Sequence, residues 1–288
     1  MAQRQHERFP PISPDLMDRI KAARQRAAGY LHDRQSDTGG FCFYRSPYID
    51  QPNLHDTWHA VAALALLGID VPRKDVLVDD LCAARPAGLD ALYFIVRTLD
   101  LLQSPSLTDL PQPSGIRALP LSAPPAGSAV AASSWLTRTL KTAWLRQCFG
   151  LLSQATDVAQ HIHGLRHDGG YGDKPNLCDT GLALRILALL GAPAPAADTR
   201  AFVERKQLPG YGFTLTDDSR LCNVDVLYGG LQCCAMLSLA VRHATDILRF
   251  GLGCQAAGGG FAGAPGAAPN IALTHRALQI FGALAPGV

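Results

Sequence analysis

Apolar residues in this chain fall into two kinds of segment. In stretches such as Leu16 to Leu31 and Ala197 to Gln207 they recur every three or four positions among charged residues. That spacing predicts amphipathic helices with one face on a core. In others, such as Val61-Ala62-Ala63-Leu64-Ala65-Leu66-Leu67, they are almost continuous, as in a helix packed on both sides. Ala91 to Leu102, opened by Asp90, reads as a helix of the second kind. The whole pattern predicts ten to twelve helices, arranged as five or six hairpins.

The hairpins repeat in sequence. Gly39-Gly40-Phe41 precedes Pro52-Asn53-Leu54-His55-Asp56-Thr57, and Gly169-Gly170-Tyr171-Gly172 precedes Pro175-Asn176-Leu177-Cys178-Asp179-Thr180. Gly210-Tyr211-Gly212-Phe213 precedes Asn223-Val224-Asp225, and Gly258-Gly259-Gly260-Phe261 precedes Pro269-Asn270-Ile271-Ala272-Leu273-Thr274-His275. Each unit is read as a glycine-aromatic turn, a polar loop, an Asn, three residues on an Asp (or Leu273), and an apolar helix. The period is roughly 40–50 residues, as in helical-hairpin arrays. The longer gap between Asp56 and Asp179 holds a degenerate unit at Asp90 and an insertion. Residues 104–134, rich in Pro, Ser, Ala and Gly, read as a flexible inserted loop. Glycine allows the tight reversal between helices, and the Asp or Thr at the helix start can cap free N–H groups. No strand is predicted before any Gly-Gly pair, so none reads as a phosphate loop. The expected fold is all-α, a single domain over residues 1–288. Closure into a ring, an α/α toroid of the α6/α6-barrel kind, suits the helix count because no polar capping repeat ends the chain.

Composition narrows the partners. The chain is 48% apolar, 17% charged and carries a net charge of +2. Without a basic block, nucleic acid is not an expected partner. The first thirty residues lack an apolar h-region and no apolar run approaches membrane-spanning length. Eight cysteines in helical-looking stretches suit reduced thiols, and a cytoplasmic setting is expected.

Cys254-Gln255, Gly259-Gly260-Phe261-Ala262, Pro265-Gly266 and Thr274-His275 resemble the last repeat of protein prenyltransferase β-subunits, and Val224-Asp225-Val226-Leu227-Tyr228 resembles that family's Val-Asp-x-Cys-Tyr segment. The likeness extends to the class II terpene cyclases, of which squalene-hopene cyclase is one, and runs best over residues 160–288. It implies an isoprenoid substrate held in a central apolar hollow, with polar groups at its rim. It also implies a zinc site at Asp225 and His275. The zinc-binding cysteine of that family is replaced here by Leu227, and the basic residue three before Asp225 is Cys222, which could itself offer a thiolate. The cyclases' Asp-x-Asp-Asp acid is reduced at the matching places to its last member, Asp56 or Asp179, behind His55 or Cys178. A buried carboxylic acid would still suit alkene protonation. Prenyltransferase β-subunits work with a helical partner, so such a subunit, or a second copy of the chain, is a further expectation.

The candidate catalytic residues are therefore Asp56, Asp179, Asp225, His275, His55 and His59, the two last being four apart on one helix face beside Trp58. Arg45, Lys174 and Arg276 lie where helix N-termini would meet an anion. With Trp58, Tyr171 and Tyr228 they form the candidate substrate-binding set; the remaining turn aromatics, Phe41, Phe43, Tyr44, Tyr211, Phe213 and Phe261, are mostly assigned to packing. His161, His163 and His167 are a loose cluster expected at a solvated helix end. Zinc at Asp225, His275 and Cys222 and no cofactor at all both remain open. The function expected is isoprenoid processing, by transfer or by cyclisation. The alternatives are a carbohydrate-active hydrolase built on paired carboxylates and a non-catalytic isoprenoid-binding or partner subunit.

Overall fold

A computed structural model of the chain describes residues 12–46, 48–104, 113–124, 130–153, 155–193 and 197–287. Among them are twelve helices: α1 Pro14–His32, α2 Leu54–Leu67, α3 Lys74–Ala83, α4 Leu89–Leu101, α5 Pro113–Ala118, α6 Ala132–Cys148, α7 Thr156–Gly164, α8 Leu177–Leu189, α9 Ala197–Arg205, α10 Val224–Leu237, α11 Ala244–Gly253 and α12 Ile271–Leu284. Segment 104–134 thus contains a short helix and the opening of α6; residues 105–112 and 125–129 of it, like the first eleven of the chain, lie outside the described residues.

The chain divides into two compact units. One comprises Met1–Leu110, Asn223–Tyr228 and Ala244–Val288, the other Pro111–Cys222 and Gly229–His243. In the first, α2 packs between α12 and α4, while α1 lies against α2, α11 and α12, so the chain's first hairpin is the neighbour of its last. Nine consecutive α2 residues, Asp56 to Leu64, are buried, as the unbroken apolar run predicts. In the second unit α6 packs on α8 around Trp135, Leu136, Leu140, Val158, Ile162, Tyr171, Ile186 and Leu187.

The glycine corners join these helices by one recurring device. Each aromatic residue pairs antiparallel with the residue five or six before it: Phe41 with Gln35, Tyr171 with Arg166, Phe213 with Gln207 and Phe261 with Gln255. Three corners or loops extend into two-residue ladders: β1 Arg45–Ser46 with β2 Ile49–Asp50, β3 Arg166–His167 with β4 Gly170–Tyr171, and β5 Gln207–Leu208 with β6 Gly212–Phe213. A short strand therefore does precede Gly169-Gly170, contrary to expectation; it turns straight back on itself because the aromatic residue closes the ladder. At Gly259 the backbone turns left-handed with φ of +90°, and a Cβ there would sit 2.3 Å from the Arg26 carbonyl oxygen. A Cβ on the next residue, Gly260, would lie 2.4 Å from the Tyr30 ring of α1.

At three of these four corners a buried threonine then ties the turn to its inner helix. The Thr57, Thr180 and Thr274 hydroxyls accept the backbone N–H of Phe41, Tyr171 and Phe261 at 2.9, 3.0 and 2.9 Å. Gln255 adds a longer link, donating through Nε2 to the Ala23 carbonyl of α1 at 2.8 Å and to Gly259 at 2.8 Å.

Candidate active site

The inner helices open with an asparagine cap. Asn53, Asn176 and Asn270 each accept the N–H three residues on, that of Asp56, Asp179 and Leu273, at 2.8, 2.9 and 2.8 Å. The aspartates are therefore not the caps that the sequence suggests, because the side chain three residues earlier already fills that role. The last repeat makes the point with its own residues: Leu273 stands where Asp56 and Asp179 stand, and its helix is capped just as well. Asn223 accepts from Val226, not from Asp225, at 2.8 Å. Asp225 is thus one position earlier in its helix than Asp56 and Asp179 are in theirs. The third helical residues Asp179, Val226 and Leu273 recur at an even interval of 47.

The two equivalent aspartates differ in what surrounds them. Asp56 is 5% exposed. Its carboxylate accepts from Asn53 Nδ2 at 2.6 Å and faces His55 Nδ1 at 3.3 Å. Half of the His55 side chain is exposed, so this imidazole links a buried carboxyl group to water. Asp179, 4% exposed, instead receives Asn176 Nδ2 and the Ser133 hydroxyl, both at 2.7 Å on the same oxygen. Ser133 lies on α6, so Asp179 fastens α6 to α8 within the second unit.

Further into the first unit's interior, His59 on α2 meets His275 on α12 with their Nδ1 atoms 2.9 Å apart. Both are buried. Burial first, and then electrostatic repulsion from the basic groups of His275, His55, Arg276 and Arg97, push the His59 imidazolium far below its ordinary range. Burial and Arg97 bring His275 down to about 3. Both rings are accordingly neutral at pH 7. Around them stand aromatic rings: Trp58 centred 4.4 Å from His59 and 5.2 Å from His275, and Phe94 5.2 Å from His55. Arg97 lays its guanidinium 4.3 Å above the Trp58 ring and donates to the Tyr93 hydroxyl at 2.8 Å. Tyr93, Phe94 and Arg97 come from α4 and were missed in the sequence. Their only trace there is the i,i+4 spacing of Tyr93 and Arg97 in a helix read as plain apolar.

The first unit thus gathers His55, Asp56, Trp58, His59 and His275 into one cluster. Asp225 and Arg276, also of this unit, form an ion pair with each other. Tyr228 sits half-buried on α10. Arg45 is committed to its own corner, bonded to Asp37 at 3.1 Å, near Asp50 at 3.5 Å, and donating to the Gln35 carbonyl. In the second unit, Tyr171 is wholly buried in the core and Lys174 is exposed. Cys222 places its thiol 3.2 Å from the Tyr211 carbonyl, and burial pushes that thiol up to about 11. Phe43 and Tyr44 are 59% exposed rather than packed, in the stretch that leads from the corner into β1. His161 stacks edge-on against Trp135 at 4.7 Å, while His163 and His167 are exposed.

These residues do not fit the zinc site that the prenyltransferase resemblance implies. Asp225 is taken by Arg276, the cysteine position is the fully buried Leu227, His275 Nδ1 is directed at His59, and the Cys222 thiol is held protonated. Among the described residues no group of three or more His, Cys, Asp or Glu side chains is disposed to hold a metal ion. All eight cysteines are free, and no described helix is long and apolar enough to cross a membrane.

Comparison with known proteins adds the family. No curated protein matches the chain in sequence. Among solved structures, the type II terpene cyclase MstE from Scytonema, as an arginine-to-alanine variant in complex with geranylgeranyl dihydroxybenzoate, its substrate, superposes with a TM-score of 0.58. Identity is 15%, and the match covers 95% of this chain and 99% of that one. An aspartate-to-alanine variant of the same cyclase, in complex with merosterolic acid A, its product, gives 0.56 at 15% identity over 96% and 100%. The sequence itself matches the family described as the prenyltransferase alpha-alpha toroid domain over residues 12–84 and 77–285, nearly its whole length. The chain belongs to the prenyltransferase alpha-alpha toroid family and has that family's all-α toroid fold.

Proposed function

We propose that this chain is an isoprenoid-processing enzyme that works by acid-initiated, cyclase-type chemistry, with Asp56 as the acid. One observation carries the reading. Asp56 is a buried carboxyl group that its helix does not need as a cap, and it is joined by hydrogen bond to a half-exposed imidazole. Family membership and the fold shared with a type II terpene cyclase favour a prenyl substrate over a carbohydrate. Loss of the zinc set favours protonation over thiol prenylation.

The chemistry balances without a cofactor. The Asp56 O–H bond breaks as its proton forms a C–H bond with one carbon of a prenyl double bond, leaving a carbocation on the other carbon. The carbocation is attacked by a further double bond, which closes a ring, or loses a neighbouring proton directly. In either case the final C–H electron pair becomes a new double bond and the proton passes to a neutral imidazole, His59 or His275. A base so hard to protonate still suffices, because a carbocation is a far stronger acid. Asp56 regains its proton from water through His55, and the imidazolium returns its own proton to water, which restores both groups. Phe94 and the Trp58 face opposite Arg97 offer aromatic surface to the cation.

Purified protein incubated with geranylgeraniol, geranylgeranyl diphosphate and squalene, and analysed by chromatography and mass spectrometry, tests the reading. A cyclised or isomerised product is expected from at least one of them. Asp56→Asn should lower turnover by about a thousandfold, within the range for loss of a general acid, whereas folded Asp179→Asn should keep it. Activity lost in Asp179→Asn and retained in Asp56→Asn would reverse the assignment.

A further inference from the structure

Trp58 presents a problem that the proposed chemistry does not solve. The residue is 8% exposed, and its indole Nε1–H is buried with no hydrogen-bond partner. Buried N–H groups nearly always find an acceptor, and one that does not calls for an explanation. The ring is closed in by His59, His275 and Phe94, with the Arg97 guanidinium on its face. Arg97, a donor only, cannot accept from the indole.

The imidazole pair beside it has its own arithmetic. Two neutral rings that share one proton between their Nδ1 atoms must differ in tautomer. The donor ring keeps a bare Nε2 lone pair, and the acceptor ring carries Nε2–H. Whichever ring is which, Trp58, His59 and His275 together offer the indole N–H and one imidazole N–H as donors and one imidazole nitrogen as acceptor. A hydrocarbon chain satisfies none of these. A diphosphate would bring several negative charges to a buried place where the Arg97 guanidinium is already stacked on Trp58 and bonded to Tyr93. A neutral oxygen satisfies them: a carbonyl accepts, and a hydroxyl both accepts and donates.

We propose that Trp58, flanked by the His59–His275 pair, is a binding subsite for a neutral oxygen, so that the isoprenoid processed here bears a hydroxyl or carbonyl group. This deepens the reading of the same site given above and rests on it. The oxygen sits against the indole N–H, and the neighbouring imidazole completes its hydrogen bonding. It thereby fixes which stretch of the prenyl chain lies beside Asp56.

The test is a pair of probes that differ by one oxygen, geranylgeraniol and the hydrocarbon of the same skeleton, titrated against the full chain by calorimetry. The wild-type protein should bind the alcohol about tenfold more tightly or better, the usual consequence of leaving a buried donor unpaired in one complex only. Trp58→Phe, which keeps a ring and deletes the N–H, should abolish the preference, bringing the two probes to equal affinity. Should that variant fail to fold, indole ¹⁵N–¹H spectra of the wild type decide the matter: the chain has three tryptophans, and the Trp58 N–H should shift downfield with the alcohol and not with the hydrocarbon. Equal affinity for both probes, or a preference that survives Trp58→Phe, overturns the subsite and leaves the isoprenoid reading standing. An indole signal unmoved by the alcohol means a bound water holds the position and likewise overturns it. Binding of neither probe overturns both.

Discussion

The buried imidazole pair makes stability depend on pH in a way that can be calculated. In the unfolded chain His59 and His275 each titrate near pH 6.5, whereas in the folded chain His275 is held down to about 3 and His59 lower still. Below pH 6.5 the unfolded state therefore binds two protons that the folded state refuses, and stability falls as pH drops from 6.5 towards 3. At pH 5, about 1.5 units below the unfolded value, each ring costs about 2 kcal/mol, so the pair costs about 4 kcal/mol relative to pH 7. That is a large part of the roughly 5–15 kcal/mol that holds a typical domain folded. Urea unfolding at pH 7 and pH 5 measures it. Wild-type protein should lose about 4 kcal/mol more than the double variant His59→Gln/His275→Gln between the two values, the other seven histidines being common to both. Equal losses would mean that the two rings titrate like exposed histidines, and the closed, neutral pair would be wrong.

Three further outcomes test the framework. Gly260→Ala should destabilise by about 1–3 kcal/mol in thermal or urea melts, because the new methyl would lie 2.4 Å from the Tyr30 ring; an unchanged midpoint would show that the α1 contact is loose. Thr274→Val should cost about 1–3 kcal/mol by orphaning the buried Phe261 N–H, with hydrogen exchange at that amide rising in step. Ser133→Ala removes the hydroxyl that Asp179 accepts and should lower stability by about 1.5–3 kcal/mol without changing product identity; an altered product would bring Asp179 back into the chemistry.

Much of the architecture was legible because the corner device is local. Gly-Gly-aromatic, Asn and Thr recur at short fixed spacings, and the glycines turn the chain, the Asn caps the helix and the Thr ties the two together. The same locality misled at Asp225, where an Asn stands two residues upstream instead of three and shifts the carboxylate by one helical position. It also misled at the aspartates as a class, since a helix-opening Asp looks like a cap until the residue three before it is seen to do that work. The His59–His275 contact joins residues 216 apart in sequence. It depends on α12 packing against α2, and no single-helix pattern contains that information. Phe94 and Arg97 were hidden for a related reason: a continuously apolar helix has no face that sequence alone can orient. Within 104–134, α5 and the start of α6 were obscured by their Pro, Ser and Ala content, which reads equally as loop.

The measurement that bears most directly on the proposed chemistry is the isotopic content of the product formed in heavy water. If Asp56 is recharged through His55 from solvent, each product molecule should carry one deuterium on carbon, at the site of first protonation, and Asp56→Asn should form none. A rearranged product free of solvent deuterium, or a full rate from Asp56→Asn, would contradict it.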